Sequence, residues 1–157
     1  MLRSLPHPVS PAHTSVEQMW FSLTLNGKKL VIGTAYRPPW LDTDLFFDAI
    51  SDSISSFSNY DNIILLGDFN INYICSSDIK TIKFMTFLSC LGLSQLVTEP
   101  THHTETSHTL IDVICSDLCS KKITVEHVGS LYGHCLINCE FLIKRVKPIP
   151  RIIIYNI

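Results

Sequence analysis

The chain has 157 residues, the length of one domain, and it is apolar for that size, with 46% hydrophobic and 17% charged residues. Its net charge of −2 gives no general argument for binding to nucleic acid, and no apolar run approaches the roughly 20 residues of a membrane span. The first residues, MLRSLPHPVSPAH, lack the apolar core of a secretion signal, so we expect an intracellular protein, neither secreted nor bound to a membrane, with its six cysteines reduced.

Composition divides the chain into three predicted parts. Residues 1–15 are rich in Pro, Ser and His, and we predict that they are irregular. Residues 16–143 carry regular apolar patterns and form the predicted domain. Residues 144–157 are basic and interrupted by proline before they become apolar, which is typical of a linker tail.

The predicted domain begins with a β-hairpin. Loose alternation of apolar residues predicts a strand over 17–25, and Asn26-Gly27 is a strong signal for a hairpin turn. The return strand, over 29–36, ends before Pro38-Pro39, because proline has no N–H for a β-ladder. One face of the first strand is predicted to consist of Met19, Phe21, Leu23 and Leu25.

Two helices are predicted on either side of a central strand. The first begins at a cap, Asp42 or Thr43, and the second begins at Ser77 or Asp78 and ends at Gly92. The predicted apolar face of the first helix consists of Leu45, Phe46, Ala49, Ile50, Ile54 and Phe57. That of the second consists of Ile82, Met85, Leu88 and Leu91.

The central strand carries the first candidate site. Four consecutive apolar residues, 63–66, predict a strand buried on both faces of an α/β sheet. Asp68 and Asn70 follow at its carboxyl end, where ligands collect in such sheets, with Phe69 turned to the other side. A carboxylate can accept a proton or hold a metal, and an amide can donate to a phosphate oxygen.

The C-terminal half is predicted to be rich in β-structure. Short extended segments are predicted at 96–97, 110–115, 123–128 and 135–143, with a polar loop over 101–109. Asp112 lies inside an apolar strand, where a carboxylate is costly without a partner, and His134 is a candidate partner. The competing interpretation, a satisfied core aspartate and an unrelated loop histidine, stays open at this point.

The cysteines suggest a second kind of site. Cys115 and Cys119, and likewise Cys135 and Cys139, are separated by three residues, as zinc ligands can be. Additional ligands could come from His102, His103, His108 and His127. Because most of these cysteines lie in apolar strands, where a thiol behaves as a small hydrophobe, we expect no zinc.

Four segments resemble a known family. The segments IGTAYRPP, IILLGDFNIN, EPTHHTETSHTLIDVI and LYGHCLI occur in the order found in the endonuclease domain of non-LTR (LINE-type) retrotransposons, over residues 17–143. This domain belongs to the endonuclease/exonuclease/phosphatase superfamily. The resemblance implies a two-sheet α/β sandwich that cuts DNA phosphodiesters with Mg²⁺. It also implies a reverse transcriptase domain in a longer parent protein, toward which the tail would lead.

The resemblance assigns roles to the catalytic candidates. It implies that Asp68 orients or deprotonates the attacking water and contributes to the metal site, while Asn70 holds the scissile phosphate. It implies that Asp112 orients His134, which stabilises charge on the pentacovalent phosphate. Substrate-binding positions are implied for Tyr36, at the phosphate, and for Thr101 and Thr109, beside the DNA backbone.

The chain also departs from the family pattern. The family normally has an aspartate directly before the catalytic histidine, and this chain has Gly133 there. The family begins with strands that carry an asparagine and a metal-binding glutamate, and we find no matching segment, so we expect an N-terminally truncated sandwich without its front strands. Because each electrostatic stabiliser contributes on the order of a hundredfold in rate, we expect weak or absent catalysis. The alternative is a non-catalytic remnant that binds DNA or a protein.

Overall fold

The structure, a computed structural model, describes residues 5–12, 15–57, 59–129 and 132–143. The predicted linker tail, 144–157, lies outside the described residues. The elements in chain order are β1 His7–Val9, β2 Glu17–Leu25, β3 Lys28–Tyr36, α1 Thr43–Ser56, β4 Asn62–Asp68, α2 Ile79–Leu91, β5 Ser94–Gln95, β6 His102–His103, β7 His108–Thr109, β8 Asp112–Ser116, β9 Ser120–Glu126 and β10 Leu136–Phe141.

A mixed six-stranded sheet organises the domain. Its strand order is β1-β2-β3-β4-β8-β5, and two smaller two-stranded sheets are formed by β6 with β7 and by β9 with β10. Strands β3 and β4 are parallel neighbours joined through α1, whereas β8 runs antiparallel to β4. This arrangement confirms the predicted α/β class, and the absence of front strands stays a prediction.

The helix ends follow from local chemistry. The side chain of Asp42 accepts hydrogen bonds from the N–H groups of Asp44 and Leu45, so Asp42 rather than Thr43 caps α1. Asp78 caps α2, and Gly92 ends it with a φ of 65°, a left-handed conformation that glycine adopts without strain. Of the helices that the structure describes, none combines the length and apolar character needed to span a membrane.

The predicted inner faces of both helices require correction. In α2 the buried residues are Thr81, Phe84, Phe87 and Leu88, whereas Ile82 and Met85 are exposed. In α1 Leu45 is exposed and Phe47 is buried. The reason is aromatic packing between the helices, because the ring of Phe47 stacks on those of Phe84 and Phe87 at centroid distances of 5.5 and 4.5 Å.

Several strand predictions also change. In β2 it is Trp20 that is buried, against Phe57 at a ring distance of 5.0 Å, and Met19 is exposed. The segment predicted to be irregular contains β1, because its backbone pairs with the edge of β2. The predicted loop over 101–109 contains β6 and β7, which pair with each other. The strands predicted over 96–97, 110–115, 123–128 and 135–143 correspond to shifted or shorter elements, β5, β8, β9 and β10.

Candidate active site

The ends of β4 and β8 bring two acidic residues together. Asp68 is the last residue of β4 and lies opposite Asp112, the first residue of β8, in the antiparallel register. Phe69, the next residue along the chain, is fully buried, so its side chain points away from the solvent. The alternation of an extended chain therefore leaves Asp68 half-buried at the open end of the sheet.

The side chains of Asp112 and His134 lie within hydrogen-bond distance of each other. Nδ1 of His134 lies 2.9 Å from Oδ2 of Asp112 and 3.1 Å from Oδ1, and both side chains are partly exposed. A carboxylate that accepts from Nδ1–H holds the imidazole in one tautomer and stabilises its cationic form. Ligand atoms of Asp68, Asp112 and His134 all lie within 4.8 Å of one another, so three of the predicted catalytic residues converge.

Asn70 is the fourth predicted catalytic residue, and it contacts Asp68 directly. Its backbone N–H donates to Oδ1 of Asp68 at 2.9 Å, and its side-chain amide donates to Oδ2 of Asp68 at 3.3 Å and to the carbonyl oxygen of Arg37 at 3.0 Å. Asn70 has a φ of 49°, a left-handed conformation that asparagine tolerates better than most residues. In this arrangement Asn70 orients the Asp68 carboxylate.

Arg37 is a positioning residue that the sequence did not indicate. Its side chain is fully buried, and its guanidinium donates to the carbonyl oxygens of Phe69 at 2.9 Å, Leu41 at 2.6 Å and Asn70 at 3.2 Å. Burial lowers the pKa of Arg37, while the nearby charges of Asp42 and Asp68 raise it. An arginine before two prolines gives no periodic signal, so only the folded chain shows that it supports the Asp68 loop.

The predicted substrate-binding threonines lie in different environments. Thr101 is fully buried, and its hydroxyl accepts hydrogen bonds from the backbone N–H groups of Ile111 and Asp112 at 3.2 and 2.9 Å. This placement argues against a contact between Thr101 and DNA and gives it a role in holding Asp112. Thr109, at the end of β7, is partly exposed.

Tyr36 lies in an open groove next to the acidic residues. The groove has a volume of about 480 Å³, and its lining includes Tyr36, Asp68 and Glu17. Tyr36 is 39% exposed, so its phenol is accessible from solvent. Glu17, which lies opposite Tyr36 in the ladder of β2 and β3, faces the same groove but does not belong to the cluster of Asp68, Asp112 and His134 among the described residues.

Gly133 cannot carry the aspartate that the family has at this position. It has a φ of 92°, and a Cβ built on it would overlap the carbonyl oxygen of His103. That close approach accompanies a hydrogen bond of 2.8 Å from the N–H of His103 to the carbonyl of Gly133. Glycine is therefore required by the backbone here, and a side chain at this position would displace β6.

Asp68 has a raised pKa. Burial is the main cause of the raised pKa of Asp68; the N–H of Asn70 opposes the shift and the charge of Asp112 adds to it. A folded-state pKa above the unfolded value means that ionised Asp68 destabilises the fold. This cost is absent below the unfolded pKa and fully present above the folded one, so it grows as the pH rises through that interval.

We therefore expect Asp68→Asn to gain stability relative to wild type as the pH rises from below about 4 to neutrality. Urea unfolding in EDTA at several pH values measures this difference. Asp48→Asn, which changes an exposed carboxylate on α1, is the matched control and should show no such trend. A difference between Asp68→Asn and wild type that does not change with pH would contradict the placement of Asp68.

The cysteine set suggested by spacing does not assemble. Cys115 is fully buried, and burial raises the pKa of its thiol, so it remains neutral; Cys119 is exposed. Among the described residues, the clusters with three or more potential metal ligands are Asp68 with Asp112 and His134, and His103 with His127 and Cys135. Of the four cysteines, only Cys135 belongs to either cluster.

Comparison with solved structures identifies the fold. The chain is similar in fold to the endonuclease domain of TRAS1, a telomere-specific non-LTR retrotransposon, with a TM-score of 0.68 and 16% identity over 82% of this chain and 64% of that one. It is also similar to D. rerio TDP2 complexed with a single-strand DNA product, with a TM-score of 0.65 and 13% identity over 90% of this chain and 68% of that one. A third similar structure is an endonuclease/exonuclease/phosphatase family protein from Leptotrichia buccalis C-1013-b. Its TM-score is 0.62, with 15% identity over 80% of this chain and 54% of that one.

The fold is therefore of the endonuclease/exonuclease/phosphatase type. A family model described as endonuclease-reverse transcriptase matches residues 30–137, and the chain belongs to this family. The resemblance seen in the sequence is thus confirmed. The chain spans less than two thirds of the TRAS1 and Leptotrichia structures. A comparison with curated proteins returns no significant match.

Proposed function

We propose that this domain binds DNA in the groove beside Asp68 and hydrolyses phosphodiester bonds with a bound Mg²⁺ ion. One observation carries the proposal: Asp68, Asp112 and His134 converge within 4.8 Å although they come from three separate segments. A carboxylate beside a carboxylate–imidazole pair can supply both a proton acceptor and a cation to a reacting phosphate.

The residues present fit a magnesium ion. Mg²⁺ typically takes one or two carboxylates, with water and substrate phosphate completing its coordination. Asp68 would hold it, because it belongs to the cluster with Asp112 and His134 and burial raises its pKa, and a bound cation would offset that cost of ionisation. Both Asp112 oxygens contact His134, so this carboxylate is committed to the imidazole. When bound, the ion would supply Lewis-acid stabilisation of the phosphate charge.

Each side chain then has a defined task. Asp68 accepts the proton of an attacking water or orients it. His134, oriented by Asp112, stabilises negative charge on the phosphate. Asn70 holds the Asp68 carboxylate and, by exchanging its 3.3 Å bond to Asp68, can donate to a phosphate oxygen. Tyr36 and Thr109 are the remaining candidates for contacts with the DNA backbone.

We expect the reaction to be slow. The family aspartate is replaced by Gly133, where the backbone leaves no room for a side chain. No glutamate joins the cluster of Asp68, Asp112 and His134 among the residues that the structure describes. Each missing stabiliser lowers the rate on the order of a hundredfold. The same two observations favour the second candidate function, a non-catalytic domain that binds DNA or a protein.

DNA is the proposed partner because the names of two similar structures point to DNA as a substrate or ligand of those proteins. One is the endonuclease domain of a telomere-specific retrotransposon, and another was solved with a single-strand DNA product. The family description also names a reverse transcriptase, which supports the proposal that a reverse transcriptase domain accompanies this one in a longer protein.

A nicking assay on supercoiled plasmid tests the proposal. With Mg²⁺, wild type and the control Asp48→Ala should convert plasmid to the open circle, while Asp68→Ala should fall to background, a loss of about a hundredfold or more. EDTA should abolish the nicking. All variants are purified identically, so that a contaminating nuclease would act equally in each.

Equal traces from wild type and Asp68→Ala would eliminate catalysis at this site. The non-catalytic alternative would then be tested by gel-shift titration of single- and double-stranded DNA. Retained binding in Asp68→Ala would separate a DNA-binding remnant from one that has lost both properties.

A further inference from the structure

A second group of metal-competent side chains lies beside His134. A short bridge pairs His102 with His134, and Cys135 donates its N–H to the carbonyl of Thr101 at 2.7 Å. Successive side chains of an extended segment point in opposite directions. The side chains of His102 and His134 therefore lie on one side of this pairing, and those of His103 and Cys135 lie on the other. The ring of His102 packs on that of His134 at 4.6 Å, whereas His103 packs on His127 at 5.3 Å.

The second set converges as metal ligands do. One ligand atom each from His103, His127 and Cys135 lies within 4.8 Å of the others, and Sγ of Cys135 lies 3.9 Å from Nδ1 of His127. In a tetrahedral zinc site with Zn–S of about 2.3 Å and Zn–N of about 2.0–2.1 Å, ligand atoms are about 3.3–3.7 Å apart. Small rotations of the side chains would bring these three to that spacing.

We propose that His103, His127 and Cys135 bind one Zn²⁺ ion. Thiolate and imidazole are ligands that zinc accepts and that magnesium, which prefers oxygen, does not. This site is therefore separate in its chemistry from the carboxylate cluster around Asp68, and it does not depend on catalysis. Because His127 is exposed, water can reach the ion and occupy the fourth position.

His108 supports this arrangement from outside the ligand set. Its Nδ1 lies 2.6 Å from Nδ1 of His103, so one of the two rings donates to the other. When His103 is the donor, its Nε2 keeps a lone pair for a metal, and His108 orients the ring. Metal-bound histidines commonly have such a partner on their second nitrogen.

The ion would join three segments that are distant in the chain. His103 comes from β6, His127 follows β9 and Cys135 precedes β10. The two small sheets would thus be tied to each other next to His134, whose neighbour in the chain is a ligand. The predicted effect of zinc is a more rigid position for the Asp112–His134 pair.

Metal analysis of the full chain, purified without a histidine tag and dialysed against metal-free buffer after growth with zinc, tests the site. We expect about one zinc per wild-type chain. Cys135→Ser and His127→Gln should lower zinc affinity by at least about tenfold to a hundredfold, the loss seen even for supporting partners. Cys119→Ser and His7→Gln, at exposed positions outside the cluster, should retain wild-type zinc.

Two further measurements make the test decisive. His127 is exposed, so His127→Gln removes a ligand without disturbing the core, and EDTA should lower the melting temperature of wild type but not of this variant. Cobalt substituted for zinc should give a sulfur-to-metal charge-transfer band that Cys135→Ser lacks. Substoichiometric zinc in wild type, or equal zinc in wild type and His127→Gln, would overturn the proposal. Magnesium-dependent nicking is measured separately, so either site can fail without the other.

Discussion

Replacing Arg37 with methionine is expected to lower the free energy of unfolding by about 3–5 kcal/mol, because several carbonyls lose a charged donor and each such loss costs about 1–3 kcal/mol. Total stabilities of domains are about 5–15 kcal/mol, so much of the fold's stability would be lost. Arg37→Met keeps most of the apolar stem but removes every donor to the carbonyls of Phe69, Leu41 and Asn70. The oxygen of Phe69 would then be left in a buried position without this donor, which is more costly than the loss of the bond alone.

The shape of the guanidinium matters as well as its charge. Arg37 reaches carbonyls on both sides, those of Pro38 and Leu41 on its own loop and those of Phe69 and Asn70 after β4. A lysine keeps the positive charge but has three donors on one atom, so it cannot span these positions. We therefore expect Arg37→Lys to recover only a small part of the stability lost in Arg37→Met.

Chemical denaturation measures both variants. Lys83→Met is the matched control, because it removes a partly exposed cation from a surface ion pair with Asp44 and should change stability far less. If Arg37→Met proved as stable as Lys83→Met, the role of Arg37 in holding the Asp68 loop would be refuted. Should Arg37→Met not fold at all, Arg37→Lys still supplies the measurement.

Gly67→Ala is expected to destabilise the fold by about 2–6 kcal/mol, the sum of backbone strain and overpacking. Gly67 has a φ of 147°, a conformation that L side chains rarely adopt. A Cβ at this position would overlap the carbonyl oxygen of Ala35 on β3, so the two strands would have to separate. Asp68 follows directly, and its carbonyl accepts the N–H of Arg37 at 3.0 Å, a bond that such a separation would break.

Gly92→Ala provides the control for Gly67→Ala. Gly92 also has a positive φ, 65°, but a Cβ there meets nothing within 4 Å. Its cost should be about 1–2 kcal/mol, that of a left-handed alanine alone. Equal losses of unfolding free energy in the two variants would show that the close approach of β3 and β4 at Gly67 is not maintained.

Local pattern determined much of the fold. The hairpin at Asn26-Gly27, both helices with their caps and the central strand before Asp68 follow from signals carried by neighbouring residues. Each of these signals depends on only a few neighbouring residues, because preferences for turns, caps and burial act over one helical turn or a pair of strand residues. The same locality explains the misplaced boundaries in the C-terminal half, where the strands are short and held by pairing.

The buried faces of the helices could not be predicted from local sequence pattern. Ile82 and Met85 fit the periodicity of a buried face, but Phe84 and Phe87 are the residues that pack against Phe47. Aromatic side chains bury more surface than aliphatic ones, so the rotation of α2 is decided by which partner lies opposite. That partner belongs to another element and is invisible in the local sequence.

The family and the order of the main elements follow from the sequence alone, because they depend on residue type and near neighbours. The roles of Asp68, Asn70, Asp112 and His134 stay predictions. The folded chain alone reveals that Arg37 is a buried support, that Thr101 holds Asp112, and that backbone crowding requires glycine at position 133. These facts depend on distances between residues far apart in the chain, which are set by packing and strand pairing. The number of residues between two positions in the sequence does not reveal how close they lie in the folded chain.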